Sequence, residues 1–504
     1  MDGEISFYEN GLRLFTCPDL AAAEESVHYA LLEHPAPEGI LIVGGSLGGT
    51  IREAFRHPSL RTVQAVELDP ETVRLARELL PEEDRRILDD PRVTFLLTDA
   101  RRFIRNTGGT YDAVLLNLPN PYTIQLNRYY TREFFLEVAS RLRPGGVFSF
   151  ALPSSENAIG DNLADFLGVI SATLSSVFAN TVLLPGDNCR FIASMDGGFL
   201  TSDPAVLAER IRQRGLNTAY VREYYLPYQL SKERMDYLSS RLARVPPQRI
   251  NRDARPAAFW FDFVLWSRHF ASPVMAGMLG WLARLRPAHG FALLLLSALL
   301  ASICIRISPS VQPAIRLSLF CLGFAGISIE LAILFTYQTL YGVLYRDMAV
   351  IVAGYMAGLG IGSALAVKGK RPDPSAAFRR LAFLQLLIGA FTAVLVATFV
   401  PGRGVWGSPV LGIVRFTGLN TLAGFLAGAA FTTANHLFFS VAPEKRDAAG
   451  KLYAVDLLGS LAGALLTTAV AIPLMGIQNT LFFISAVNLA AFLILLISGK
   501  WTSV

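Results

Sequence analysis

"GILIVGGSLGGTIREAFRH", Gly39 to His57, decides the fold of the first half of this chain. Ile40 to Val43 run apolar without interruption, the pattern of a strand buried on both faces. Gly44, Gly45, Gly48 and Gly49 follow, and then a helical pattern begins. Glycines in such a turn let a ligand approach the backbone and leave helix N–H groups to meet it. The turn reads GGSLGG rather than G-x-G-x-x-G, which disfavours a dinucleotide.

Working outward, "TVQAVELDPETVRLARELL" predicts a second strand ending in Glu67 and Asp69, with a helix from Pro70. "RVTFLLTDARRFI" predicts a third strand ending at Asp99, and "YDAVLLNLPNP" a fourth. "FFLEVASRLRPGGVFSFALP" gives a helix, a Gly-Gly turn and a fifth strand. Strands and helices alternating at this length imply an α/β fold with a parallel, doubly wound sheet and a ligand at the strands' carboxyl ends. Glu67 is placed to accept both ribose hydroxyls, since an acid about 20 residues beyond the turn does so in such sheets. Asp99, one strand further, is placed to accept from an adenine amino group.

These segments, with "EESVHYALLEHP" and "NRYYTREFF…LRPGGVF", resemble the spermidine/spermine synthase (polyamine aminopropyltransferase) family, a branch of the methyltransferase-like Rossmann folds. "ISFYENGLRLFT" is similar to the hairpin that ends the small β-domain preceding that fold. The resemblance implies transfer of an aminopropyl group from decarboxylated S-adenosylmethionine to an amine, leaving methylthioadenosine. It implies that Glu67 binds ribose, Asp99 adenine, and the turn Gly44, Gly45 and Gly48 the sulfonium end of the nucleoside, with no metal.

The amine half of the site departs from that family. Its fourth strand ends in D-x-x-D-P and its glycine turn reads GGGDGG. Here Asn117 and Asn120 stand at the strand end, the positions that would be catalytic, and Leu47 stands in the turn. An amide cannot take a proton, and a buried ammonium left without its partner costs about 3–5 kcal/mol. Glu24, Glu25 and Glu133 are acids that could substitute. Tyr122, Gln125, Tyr129 and Tyr130 fit either an acceptor pocket or packing. The first reading is therefore a membrane-bound transferase that binds S-adenosylmethionine or its decarboxylated form. The alternative is a transporter or sensor of a polyamine or cation with a non-catalytic, nucleoside-binding regulatory domain.

The second half is of another kind. Before Pro256 the chain carries 33 acidic and 28 basic residues, and from there on 7 and 17. The soluble half is acidic, so nucleic acid is not an expected partner. The basic excess accompanies apolar runs centred near 298, 328, 357, 390, 430, 464 and 489, an all-α multi-pass bundle in membrane lipid. Its phrases "GFAGISIELAILFTYQ" and "GKLYAVDLLGSLAGALLTTAVAIPLMG" resemble bacterial proteins that fuse a spermidine-synthase-like domain to such a bundle. Gly354/Gly358, Gly424/Gly428 and Gly459/Gly463 form small-residue stripes for helix packing. Glu330, Gln338, Asn435, His436 and Asp456 are polar groups inside spans, fitting either a pathway or interhelical bonds. The division expected is a hairpin and lead-in (1–36), a nucleoside-binding domain (37–256), an amphipathic or first membrane segment (257–288) and the bundle (289–504). A homo-oligomer is compatible with it.

The four cysteines show no CxxC spacing and the six histidines no ligand spacing, so neither a disulfide framework nor a metal site is expected. The polar start "MDGEISFYENG" has no signal-peptide core. These features and the positive-inside rule fit an inner-membrane protein with its N-terminal domain cytoplasmic. If 259–283 also crosses, making eight passes, Lys368, Lys370, Arg371, Arg379, Arg380 and six further basic loop residues fall inside. Asp262 and Arg268 make that crossing costly. A reporter fused after Arg371 is expected to give a cytoplasmic signal; a periplasmic one overturns the eight-pass topology.

Overall fold

A computed structural model describes residues 4–497 except 10–11, 197, 247–248, 271–281, 283–286, 309, 343–344, 369–372, 400–408 and 442–447. Two compact units emerge, one of Met1–Asp253 with Ala257–His269, the other of Ala254–Pro256 with Phe270–Val504.

In the first unit, β1 (Ile5–Glu9) pairs antiparallel with β2 (Leu12–Cys17), the expected hairpin. The larger sheet contains β3 (Gly39–Val43), β4 (Thr62–Glu67), β5 (Val93–Leu97), β6 (Tyr111–Leu116), β7 (Leu142–Pro153), β8 (Asn180–Leu184) and β9 (Asn188–Ser194). Their order is β5-β4-β3-β6-β7-β9-β8. The first five are parallel, in the Rossmann-like arrangement expected. All of β3 and β6 is buried, which is why both read as unbroken apolar runs. The sheet is not parallel throughout: β9 runs antiparallel to β7, and β8 to β9. This hairpin covers the far edge, with Phe191 stacked on Phe150 at 4.9 Å between ring centroids.

The switch in strand order lies between β3 and β6, and in sheets of this kind the loops after such strands flank a ligand crevice at the carboxyl edge. Beneath it Arg101 is fully buried. Its guanidinium donates to Glu137 at 2.8 and 2.9 Å, to Asp253 at 2.8 and 2.7 Å, and to the carbonyl of Arg128 at 3.0 Å. Two bidentate pairs thus join three distant segments, and the planar fork suits them as an ammonium would not.

The helix Ala257–Phe270 belongs almost entirely to the first unit. At 14 residues it is shorter than the roughly 20 a crossing needs. Residues 271–281, most of the remainder of the expected extra crossing, lie outside the described residues.

Among the described residues, the second unit holds six helices long and apolar enough to cross a membrane, from Ala288–Ile307 to Ala449–Ile497. The two apolar runs expected near 464 and 489 fall in the last of these, which spans 49 residues. A π-turn at Thr467–Ala471 and a non-helical Gly476 (φ 85°, ψ 162°) interrupt it. Methyl groups on Gly358 and Gly424 would collide with the carbonyl oxygens of Thr421 and Tyr355, so the Tyr345–Val367 and Pro409–Val441 helices meet backbone to backbone. Gly459 meets Phe320 of Gln312–Tyr341 in the same way. Gln338 bonds the Met348 sulfur at 3.2 Å and Asn435 the carbonyl of Phe431 at 2.8 Å. Glu330 is buried and Asp456 half-buried.

Arg101→Met takes its cation from Asp253 and leaves Glu137 with Arg105 alone. It is expected to remove about 3–5 kcal/mol of stability, read by denaturant unfolding of the full chain in detergent. A loss under about 1 kcal/mol would show the network to be dispensable.

Candidate active site

Close approach of two loops forms the floor of the crevice. Gly44 and Gly45 hold φ of 68° and 57°, a region costly for residues with a Cβ. A Cβ on Gly44 would lie 2.5 Å from Leu118 Cδ2, and one on Gly45 would lie 2.8 Å from Asn117 Cβ. Position and conformation both demand glycine. Asn117 N donates to the carbonyl of Val43 at 2.9 Å and Gly44 N to that of Val66 at 3.0 Å, tying the turn to both neighbouring strands. The helix after the turn, Thr50–Ala54, is only five residues long.

Glu67 ends β4 and turns into this floor. One carboxylate oxygen accepts from Ser46 N at 3.1 Å and Ser46 Oγ at 2.5 Å. Burial raises its pKa, and the two bonds from Ser46 oppose that shift. Its other oxygen has no bond among the described residues. Asp99 is engaged differently: Oδ1 caps the next helix through Arg102 N at 2.9 Å. Oδ2 accepts from Arg128 Nη1 at 2.7 Å and Tyr129 Oη at 3.1 Å. A carboxylate has about four lone-pair sites, so further acceptance remains open.

Gly48 lies under the hairpin, its absent Cβ 3.4 Å from the carbonyl oxygen of Thr16. Leu47 is buried with Phe7, Cys17 and Val27. In this chain that turn residue belongs to the apolar core.

The other acids considered divide by their bonds. Glu24 accepts from the backbone N–H groups of Ala219, Tyr220 and Val221, and Glu133 from Asp253 N at 3.0 Å, so both organise backbone. Glu25 makes no such bond among the described residues; burial raises its pKa, against the pull of Arg190. Tyr129 meets Asp99, as above. Tyr130, fully buried, donates to the carbonyl oxygens of Leu118 and Pro119 at 2.9 and 2.8 Å and so pins the loop after β6. Tyr122 is exposed and Gln125 half-buried at the loop's far end.

The loop's two amides have different surroundings. Asn117 Nδ2 is buried and lacks a partner among the described residues. Asn120 Nδ2 donates to Asp262 Oδ1, on the helix Ala257–Phe270. Asp262 is almost wholly buried, and burial raises its pKa to about 6 although the bond from Asn120 lowers it. In the sequence this acid figures only as a burden on a membrane crossing. A lone aspartate in an aromatic helix was its one visible signal. Ser46, Arg128 and Asp262 are the site groups that sequence reasoning passed over. Among the described residues no group of three or more His, Cys, Asp or Glu side chains is arranged to hold a metal ion.

The profile of the Spermine/spermidine synthase domain matches residues 20–158. The polyamine aminopropyltransferase of Pyrobaculum calidifontis is 31% identical over 214 residues, covering 39% of this chain and 70% of that protein. Polyamine aminopropyltransferase 2 of Pseudomonas aeruginosa is 33% identical over 203 residues, covering 39% and 57%. The solved spermidine synthase of Thermotoga maritima aligns at 20% identity and a TM-score of 0.38, over 47% of this chain and 79% of that one. Identity of this level over more than two thirds of a relative, in the segment that builds the crevice, shows that the chain belongs to the spermine/spermidine synthase family.

Proposed function

We propose that the first unit transfers an aminopropyl group from decarboxylated S-adenosylmethionine, or a related sulfonium nucleoside, to an amine, and that the second unit holds it in the cell inner membrane, with the first unit cytoplasmic. Glu67 is the observation that carries this reading. A half-buried carboxylate at the end of β4 has one oxygen fixed by Ser46 and the other available to paired hydroxyls, as a ribose presents. The loop held by Gly44 and Gly45 offers close backbone approach to the sulfonium end. Asp99, oriented by Arg128 and Tyr129, stands one strand further for the adenine. The relatives' name, polyamine aminopropyltransferase, supplies the transferred group and makes a polyamine the natural acceptor.

Chemically, such a site has little covalent work to do. The sulfonium is already a good leaving group, so the protein's contribution is to align an uncharged amine nitrogen with the carbon it attacks. Asn117 and Asn120 offer hydrogen bonds there, while proton removal needs a group of another kind.

Purified full-length protein given decarboxylated S-adenosylmethionine and a panel of amines is expected to release methylthioadenosine, detected by mass spectrometry. Glu67→Gln removes the charged acceptor, worth about 1.5–3 kcal/mol in bonds to hydroxyl donors. The Kd for methylthioadenosine should rise about ten- to a hundredfold by calorimetry. An unchanged Kd overturns the assignment of Glu67, and no release with any amine overturns the transferase reading.

A further inference from the structure

We propose that Asp262 is the acceptor-side acid of this site: its carboxylate receives a primary alkylamine in its cationic form and takes the proton that the amine must lose before attack. The inference rests on the aminopropyl-transfer reading and names the chemistry of its second substrate.

The argument starts from hydrogen bonds that are missing. Asp262 is 1% exposed, and its Oδ1 accepts from Asn120 Nδ2. Its Oδ2 is buried with no partner among the described residues, and so is Asn117 Nδ2 on the loop that Asp262 touches. A buried carboxylate oxygen without a donor is costly, and an ammonium N–H is the donor that best offsets it. No cation of the chain pairs with Asp262 among the described residues. Tyr130 is the titratable group that feels its charge, and Arg249 lies over the ring of the neighbouring Phe261, 5.1 Å from its centroid.

The amide at position 120 follows from the same geometry. An aspartate there would set two carboxylates at hydrogen-bonding distance, and such a pair cannot both ionise readily. Asparagine instead donates to Asp262 and aims it. The acid expected at the end of β6 is thus supplied by a helix 142 residues further on.

The step balances as follows. The alkylammonium gives one proton to Asp262 Oδ2, freeing its nitrogen lone pair. That pair forms the new C–N bond at the methylene carbon attached to the sulfonium. The C–S bond breaks with its electrons going to sulfur, leaving a neutral thioether nucleoside. The product leaves as a secondary ammonium, and Asp262 returns its proton to water.

The test uses the full-length protein in detergent, with decarboxylated S-adenosylmethionine as donor and 1,4-diaminobutane among a set of primary alkylamines. Asp262→Asn keeps the shape and the contact with position 120. It should leave the Kd for methylthioadenosine unchanged, which reports an intact fold. Loss of a general base should lower methylthioadenosine release by about 100-fold or more, and diamine binding to the methylthioadenosine-loaded protein should weaken with it. Wild-type kcat/KM should rise with pH through about 6, as the carboxyl ionises, and the variant should lose that limb. Asn120→Asp combined with Asp262→Asn returns an acid to the strand end and should recover much of the activity, which a merely structural Asp262 would not allow. Turnover and diamine binding equal to wild type in Asp262→Asn overturns the proposal, as does faster turnover, which would make the helix a plug. Asp262-dependent diamine binding without any release by wild type would sink the transferase reading alone. Absence of diamine binding in both proteins sinks the proposal.

Discussion

Everything at the carboxyl edge of this sheet depends on how closely the loop after β3 approaches the loop after β6. Parallel neighbours deliver their carboxyl ends to the same edge, and the absence of side chains at Gly44 and Gly45 lets Asn117 and Leu118 come within contact of the turn's backbone. A single methyl on either glycine would push the loops apart. The separation of the Glu67 floor from the Asn117–Asn120 wall would then change, and with it any alignment of two reactants between them.

The remaining supports act through charge in dry surroundings. Arg101 makes two bidentate ion pairs and holds the carbonyl of Arg128, whose own guanidinium orients Asp99. A chain of this kind is strong only while each member is satisfied, because an unpaired charge in low dielectric costs more than the pair contributes. Tyr130 does for the β6 loop what Arg128 does for Asp99, with two carbonyls held by one hydroxyl. Asn117 Nδ2 and Asp262 Oδ2 belong to the buried polar atoms without a partner among the described residues.

The helical unit is built on a different balance. Its stripes of small residues bring helix backbones into contact, and polar groups such as Gln385, bonded to Ser318 at 2.8 and 2.9 Å, close the contacts. The stripes on 345–367 and 409–441 serve one another, a reciprocity that their spacing alone does not reveal.

The sequence by itself determined the local and the periodic. Continuous apolar runs marked β3 and β6, and glycines marked the turn. Glu67 and Asp99 could be placed because a strand's end is fixed by its own residues. The β8–β9 hairpin was less legible, since its strands are short and extend the sheet's edge rather than repeat the strand–helix alternation. The surroundings of the β6 loop were not legible at all. Asp262 reaches Asn120 across 142 residues of chain, and Arg101 reaches Asp253 across 152. Hydrogen bonds depend on distance in space, which periodicity does not encode, so only the tertiary structure decided that Asn120 of the β6 loop has a carboxylate beside it.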